Sequence, residues 1–296
     1  MSTFKNYLNT FRFTTTLPGN GQDITFTPVR VGQIKSLLLY ETSNDQNSTE
    51  DALDDMITEC VVSPEDFDIK KLYLQDRFYL LVDIRKATRG ALYNFQTVCT
   101  SCSSQTNQVL DITKLVVTKL NLTPSTADNV VLPTKKKIVR SKSKITEVVP
   151  EQQDTFDTSM ITVTKAPVLS WDVVKLNDNI SVKLSLITRG MQQEAFDIFK
   201  SIHKDEEVSD VRKAVEMADL LFALSIQSII TPDGEDKDIS LEDKIYFLNN
   251  IQQSELETLS GWYDKNDFGI DFSFDVVCAH CGYSERKAVP VENFFY

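Results

Sequence analysis

Two Cys-x-x-Cys pairs constrain this chain more than any other feature of its sequence. Cys99 and Cys102 form the first pair and Cys278 and Cys281 the second, which together account for four of the five cysteines. Apolar residues precede each pair, and a polar stretch and then further apolar residues follow it. This pattern predicts, around each pair, a strand, a knuckle turn that holds the two cysteines, and a second strand. Two such hairpins facing each other supply the four sulfurs of a tetrahedral zinc site. We therefore predict that these four cysteines bind one structural Zn²⁺ ion.

The distance between the two pairs is unusual for a zinc ribbon. Cys102 and Cys278 lie 176 positions apart, whereas the halves of a self-contained ribbon lie roughly 15–20 residues apart. The metal is therefore expected to join two distant parts of the chain. A disulfide framework and a thioredoxin-like redox pair are the alternatives, but neither pair is followed by a helix that would lower the pKa of a redox cysteine. His280, between two of the cysteines, is expected to be exposed rather than a ligand.

Composition and charge narrow the functional classes. The 296 residues are 41% apolar and 25% charged, as in ordinary globular proteins. No run approaches the ~18 apolar residues of a membrane helix, and the N-terminus lacks a signal-peptide core, so we expect no membrane association. Folding in a reducing cytoplasm favours zinc over disulfides. The net charge of −12 makes nucleic acid an unfavourable partner.

The alternation of helical and strand-like segments predicts an α+β fold of helices with short β-hairpins. Residues 1–112 are expected to form an N-terminal half that ends in the first knuckle hairpin, and residues 166–296 a C-terminal half that ends in the second. Between them, residues 113–165 form a polar, basic linker or insert, with short apolar patches that fit edge strands. Residues 135–144 carry six cations, which favours a solvated linker over a basic arm that docks on an acidic partner.

Several element boundaries follow from capping and turn residues. A hairpin is expected from Phe11 to Pro28. Ser48 is predicted to cap one helix, and Asp68 to begin the most apolar helix, which ends before Gly90. Ser209 is predicted to cap a later helix. The residues expected to face inward on that helix are Val215, Ala218, Leu221 and Phe222.

Catalytic constellations are missing from the sequence. It contains only two histidines, and its nine glycines form no phosphate-binding motif. Zinc held by four thiolates has no open position for water. We therefore predict a protein that is not an enzyme and has no small-molecule substrate. The alternative function is a cytoplasmic zinc-ribbon regulator that binds nucleic acid through residues 135–144, although the first knuckle lacks the cations that such modules carry.

A set of short segments near both ends of the chain forms a distinctive pattern: Leu17-Pro-Gly19, residues 28–39, Phe67-Asp-Ile69, residues 72–78, residues 223–230, the Asp233-Gly234 turn, residues 240–248, Phe268-Gly-Ile270, the knuckle from Cys278 to Gly282, and Phe294-Phe295. These segments resemble baseplate hub and hub-assembly proteins of T4-type contractile-tailed phages. The resemblance skips residues 113–165.

The resemblance implies a non-enzymatic structural or assembly component of the tail baseplate. Such a protein is assembled in the host cytoplasm and contacts other baseplate and tail proteins, and as a structural subunit it is located in the virion. The resemblance does not separate a virion subunit from an assembly factor. The aromatic tail Phe294-Phe-Tyr296 has two interpretations: it contacts other tail proteins, or it folds back onto the core.

Overall fold

The computed structural model describes residues 11–41, 46–120, 161–164, 172–204, 208–291 and 294–295. Within these ranges the chain forms seven α-helices and five small sheets, all antiparallel except for one parallel strand pair. This architecture confirms the predicted α+β class. None of the described helices is long and apolar enough to cross a bilayer. The basic stretch 135–144 lies outside the described residues, and the division into two halves and a linker stays a prediction.

The first part of the chain begins with a β-hairpin and ends with the first knuckle hairpin. Its elements are β1 (Phe13–Thr16), β2 (Asp23–Phe26), α1 (Val31–Glu41), α2 (Gln46–Cys60), β3 (Val61–Ser63), α3 (Leu74–Arg89), β4 (Leu92–Val98) and β5 (Gln105–Asp111). The sheet order is β1-β2-β3, and β4 pairs with β5 alone. The predicted N-terminal hairpin is confirmed. The predicted Ser48 cap is wrong, because α2 already begins at Gln46.

The second part of the chain adds two further sheets and ends in the second knuckle hairpin. Its elements are β6 (Val116–Lys119), β7 (Ile161–Thr164), β8 (Val173–Lys175), β9 (Ser181–Leu184), α4 (Arg189–Ile202), α5 (Asp210–Ser225), β10 (Ile226–Thr231), β11 (Gly234–Asp236), α6 (Leu241–Asn250), α7 (Gln253–Lys265), β12 (Gly269–Ile270), β13 (Ser273–Val277) and β14 (Ser284–Ala288). The strand orders are β11-β10-β9-β8 and β12-β6-β7, and β13 pairs with β14. Both apolar patches within the predicted linker are strands, but β6 is central in its sheet rather than an edge strand.

The helix predicted to begin at Asp68 begins later in the chain, and the prediction that it is the most apolar helix is wrong, since α1 is more apolar. Asp68 caps only a 3₁₀ turn, accepting a hydrogen bond from the N–H of Lys70 at 3.0 Å. Leu72 and Tyr73, which follow this turn, are extended because they pair with the segment before α4. The N–H of Arg189 donates to the carbonyl of Leu72 at 2.9 Å, and the N–H of Leu74 donates to the carbonyl of Ile187 at 3.1 Å. This pairing interrupts the helix, and α3 begins at Leu74. Its predicted end is confirmed at Gly90, whose φ of 84° suits glycine.

Helix α5 begins at the predicted Ser209 cap, but its buried face is rotated from the predicted one. The Oγ of Ser209 accepts from the N–H of Arg212, as expected of an N-cap. Val215 and Ala218, predicted to face inward, are exposed. Leu220 and Ala223 are buried in their place, because α4 and α6 pack against that side.

The C-terminal tail belongs to the core that the N-terminal elements build. Phe294 and Phe295 are buried, and the Phe294 ring packs edge-on against Tyr93 at a centroid distance of 5.1 Å. The guanidinium of Arg85 lies over both the Tyr93 and the Phe294 rings, and its Nε donates to the Phe294 carbonyl at 3.3 Å. Phe294 and Phe295 therefore fold back onto the core, which is the second of the two interpretations. Tyr296 lies outside the described residues.

A buried ion cluster ties helix α4 to α2 and α3. Arg189 is 2% exposed, and its Nε donates to Oδ2 of Asp54 at 2.5 Å. Oδ1 of the same carboxylate accepts from Nε of Arg77, also at 2.5 Å. Asp51 and Glu50 add outer partners to the two guanidinium groups. Because a buried charge is tolerated only when it is paired, these residues fix the three helices relative to one another.

Candidate metal centre

Both cysteine pairs lie in the connections of regular two-stranded hairpins. Strands β4 and β5 pair without interruption from Leu92↔Asp111 to Val98↔Gln105. Strands β13 and β14 pair from Ser273↔Ala288 to Val277↔Ser284. Each pair of cysteines follows its first strand directly, so the predicted order of strand, knuckle and strand is confirmed twice.

The first knuckle is closed by two backbone hydrogen bonds around its leading cysteine. The N–H of Cys99 donates to the carbonyl of Ser104, and the N–H of Ser103 donates to the carbonyl of Cys99, both at 2.9 Å. Ser103 has a φ of 57°, in the left-handed region that non-glycine residues seldom adopt. The turn holds this conformation while directing Cys99 and Cys102 to the same side.

The second knuckle repeats this geometry position by position. The N–H of Cys278 donates to the carbonyl of Tyr283 at 2.8 Å, and the N–H of Gly282 donates to that of Cys278 at 2.9 Å. Gly282 occupies the left-handed position with a φ of 72°. Left-handed backbone thus occurs four residues after the first cysteine of each pair. The two hairpins are equivalent turns that present two sulfurs each.

The four sulfurs meet between the hairpins. The Sγ atoms of Cys99 and Cys281 are 3.8 Å apart, those of Cys102 and Cys278 are 3.6 Å apart, and all four lie within 4.8 Å of one another. Sulfurs bound about 2.3 Å from a tetrahedral zinc are separated by about 3.8 Å. A disulfide needs about 2.05 Å, and all four thiols are free. The sulfur cluster therefore has the dimensions of a tetrahedral metal site.

The hydrogen bonds around the sulfurs favour thiolates on opposite hairpins. The Oγ of Ser104 lies 3.1 Å from the Sγ of Cys102 and 3.2 Å from that of Cys278. This hydroxyl lowers the pKa of Cys102, and together with backbone N–H groups it lowers that of Cys278 to about 6. The N–H of Tyr283 favours the thiolate of Cys281, but desolvation and the neighbouring sulfurs raise its pKa to about 11. Each thiolate thus makes ionisation of the neighbouring thiols less favourable. A bound divalent cation removes this repulsion because its charge stabilises all of the thiolates.

Contacts outside the sulfurs also hold the two hairpins together. The Oγ1 of Thr100 donates to Oε2 of Glu285 at 2.8 Å, and the Nζ of Lys287 donates to a carbonyl of β4. Phe95 packs edge-on against Phe274, with ring centroids 4.9 Å apart. These contacts position the two knuckles independently of any metal.

The structure brings together all four predicted cysteines and leaves out both other candidates. His280 is exposed on the second knuckle and donates only its backbone N–H, to the Sγ of Cys278 at 3.4 Å. Cys60, the fifth cysteine, is buried in the core, and burial raises the pKa of its thiol to about 11. Among the described residues, the four knuckle cysteines are the one group of His, Cys, Asp or Glu arranged to hold a metal ion. Sequence reasoning did not single out Ser104, whose hydroxyl bridges the two hairpins.

Comparison with known proteins adds the family. Residues 9–148 match the family model described as T4 bacteriophage base plate protein. Over this stretch, which is slightly less than half of the chain, the protein is similar to T4-type baseplate proteins. Neither a search of curated proteins nor a search of solved structures gave a match. The matched stretch contains Cys99 and Cys102 but ends before the second cysteine pair.

The family match confirms the resemblance at the level of the baseplate. It supports a structural role in the phage tail, a location in the virion tail and contacts with other tail proteins. A structural role of this kind agrees with the prediction that the protein is not an enzyme. The residues of the second hairpin extend this baseplate region with the other half of a sulfur cluster.

Proposed function

We propose that this protein is a structural or assembly component of the baseplate hub, and that a Cys₄ zinc ion joins its two ends. The observation that carries the proposal is the meeting of four sulfurs from positions 176 residues apart, one pair of which lies within the baseplate-family region. The metal-bearing hairpins thus connect the family region to the C-terminal end of the chain.

The chemistry of the sulfur cluster favours zinc. Four thiolates in tetrahedral arrangement select zinc or iron and exclude the hard cations, which bind oxygen. With sulfur at every position, the ion has no site for a reactive water. Such an ion supports the fold and not a reaction, which agrees with a non-enzymatic role.

The structural value of the ion lies in where it binds. Structural zinc contributes on the order of 10 kcal/mol of binding free energy, and this becomes folding free energy when the site exists only in the folded chain. Here the ion fastens β13–β14 onto β4–β5, while the tail beyond β14 packs onto α3. Metal binding and closure of the main core therefore stabilise each other. A subunit closed in this way presents fixed faces to its neighbours during tail assembly.

The hub proposal is tested in infected cells. A phage with a nonsense codon in this gene should yield no complete baseplates in electron micrographs, and expression of the wild-type chain should restore them. Mass spectrometry of purified particles then separates the two forms of the proposal: a subunit is present in the virion, and an assembly factor is not. Complete, infectious tails in the absence of the chain would contradict both forms.

A double substitution of Cys278 and Cys281 by serine links the zinc site to assembly. The variant should fail to restore baseplates because its two ends are no longer joined, whereas Cys60→Ser, which lies outside the cluster, should restore them. Equal complementation by both variants would contradict a role for zinc in assembly while leaving the baseplate role intact.

A further inference from the structure

The outer face of the first knuckle hairpin carries no charge except at its open end, where Asp111 lies opposite Leu92 and pairs with Lys114. No charged residue occurs from Leu92 to Leu110, in a chain with 25% charged residues and a net charge of −12. Because side chains alternate along a strand, one side of β4–β5 packs inward and the other faces out. We call the outward side the uncharged face. Its exposed residues are Leu92, Asn94, Gln96, Val98, Gln105, Asn107 and Val109.

The second knuckle hairpin provides an internal comparison. At the equivalent outward positions it carries Asp275 opposite Arg286. Arg286 pairs with this aspartate at 3.3 Å and with Asp271 at 2.6 Å. Two hairpins with the same turn geometry therefore differ in their outer faces. The absence of charge on the first is not required by the knuckle.

The uncharged face combines exposed apolar side chains with amide side chains, as protein–protein interfaces do. Leu92, Val98 and Val109 are 58%, 49% and 64% exposed, at the two ends of the face. The amides lie between them, with Gln96 directly opposite Asn107. None of the four amide side chains on this face hydrogen-bonds another described side chain, so all remain available to a partner. Apolar groups flanking unpaired amides are typical of a surface that becomes buried on association.

The lack of charge also indicates which partner this face fits. A chain with a net charge of −12 repels a copy of itself, and this repulsion is weakest where two surfaces without charges meet. A basic partner is attracted electrostatically to the acidic remainder of the chain, but it has no such attraction to the uncharged face. An amide side chain both donates and accepts hydrogen bonds, so identical amide faces can satisfy each other.

We infer that the uncharged face is the contact between two copies of this chain. In a two-fold interface the same patch serves both subunits. An axis near the Gln96–Asn107 pair sets the amides of one copy against those of the other. The same axis brings Asn94 and Val109 of each copy over Val98 and Gln105 of its partner. This inference does not depend on the baseplate role.

The mass of the zinc-loaded full chain in solution tests the inference. Sedimentation equilibrium across a concentration series should give a dimer of twice 33.6 kDa. Gln96→Lys and Gln96→Glu should each give monomers, because like charges meet near the axis. An equimolar mixture of the two variants should restore the dimer, since opposite charges then meet. Val277→Lys and Val277→Glu, at an exposed position on the second hairpin, should remain dimeric.

The outcomes decide the inference in either direction. Circular dichroism and zinc content must match the wild type, and Val109→Lys with Val109→Glu replaces any Gln96 variant that does not fold. A wild type that is monomeric at every concentration overturns the inference, whatever other protein the face binds. Dimers that survive both charge substitutions, or a mixture that stays monomeric, also overturn it. None of these results bears on zinc content or on baseplate assembly.

Discussion

The buried carboxyl group of Asp76 should make stability rise as the pH falls through its titration. Asp76 is 0% exposed, and its Oδ1 accepts a hydrogen bond from the N–H of Gly19 at 2.7 Å. Its Oδ2 has no hydrogen-bond partner among the described residues. Asp76→Asn keeps an acceptor for Gly19 and removes the negative charge. The pH dependence that Asp76 contributes should therefore vanish in this variant.

The magnitude follows from the pKa. Burial, opposed by the N–H groups of Gly19 and Asn20, raises the pKa of Asp76 from 3.8 to about 6. Between these values the folded state binds more protons than the unfolded chain, so acidification stabilises the fold. A tenfold difference in proton affinity corresponds to about 1.4 kcal/mol, which gives about 3 kcal/mol in all. The uncompensated amide of the asparagine costs about 1–3 kcal/mol, but equally at every pH.

Urea denaturation of both proteins between about pH 7.5 and pH 4 measures this effect. The stability of the wild type relative to Asp76→Asn should increase by up to about 3 kcal/mol over that range. The cysteine cluster titrates too, but it is common to both proteins and cancels in the difference. Asp233→Asn, at an exposed turn position, serves as the control for the loss of one carboxylate from the chain. A pH-independent difference between wild type and Asp76→Asn would refute the reasoning.

Three further substitutions test the packing and the metal site. A Cβ on Gly19 would lie 2.5 Å from the ring of a buried phenylalanine, so Gly19→Ala should lower the unfolding free energy by about 1–3 kcal/mol. Its control is Gly32→Ala, in open space on α1, which should raise the unfolding free energy by about 0.5–1 kcal/mol. Arg189→Met should cost about 3 kcal/mol in urea denaturation and the exposed Arg212→Met less than about 1 kcal/mol. Ser104→Ala should weaken zinc binding in chelator competition about tenfold, because it removes the hydroxyl that bridges two sulfurs.

The cluster of four cysteines was predictable because its parts are local. A Cys-x-x-Cys knuckle is encoded within a few residues, and two of them in matching frames identify a common partner without knowledge of the path between them. The turn geometry of both knuckles follows the same rule, with left-handed backbone at Ser103 and Gly282. Only the contact of the Ser104 hydroxyl with two sulfurs was not predicted, since no sequence pattern distinguishes a serine beside a knuckle.

The features of the fold that the sequence did not predict depend on contacts between distant segments. The extended residues before Leu74 pair with the chain near Arg189, and helical periodicity contains no trace of that pairing. Arg189 and Asp54 are 135 positions apart, and each alone reads as a surface charge. The inward face of α5 depends on where its neighbouring helices pack, which placed Val215 outside. The fate of Phe294 was undecided in the sequence because an aromatic tail is equally suited to a core and to an interface.

Zinc content per chain tests the central claim most directly. It is measured by elemental analysis on the purified wild type and on two double variants: Cys99→Ser with Cys102→Ser, and Cys278→Ser with Cys281→Ser. One zinc per wild-type chain and almost none in either double variant is the predicted result, because each hairpin supplies only half of the sulfurs. A wild type without zinc, or a double variant that retains one full equivalent, would contradict a site shared by the two ends of the chain.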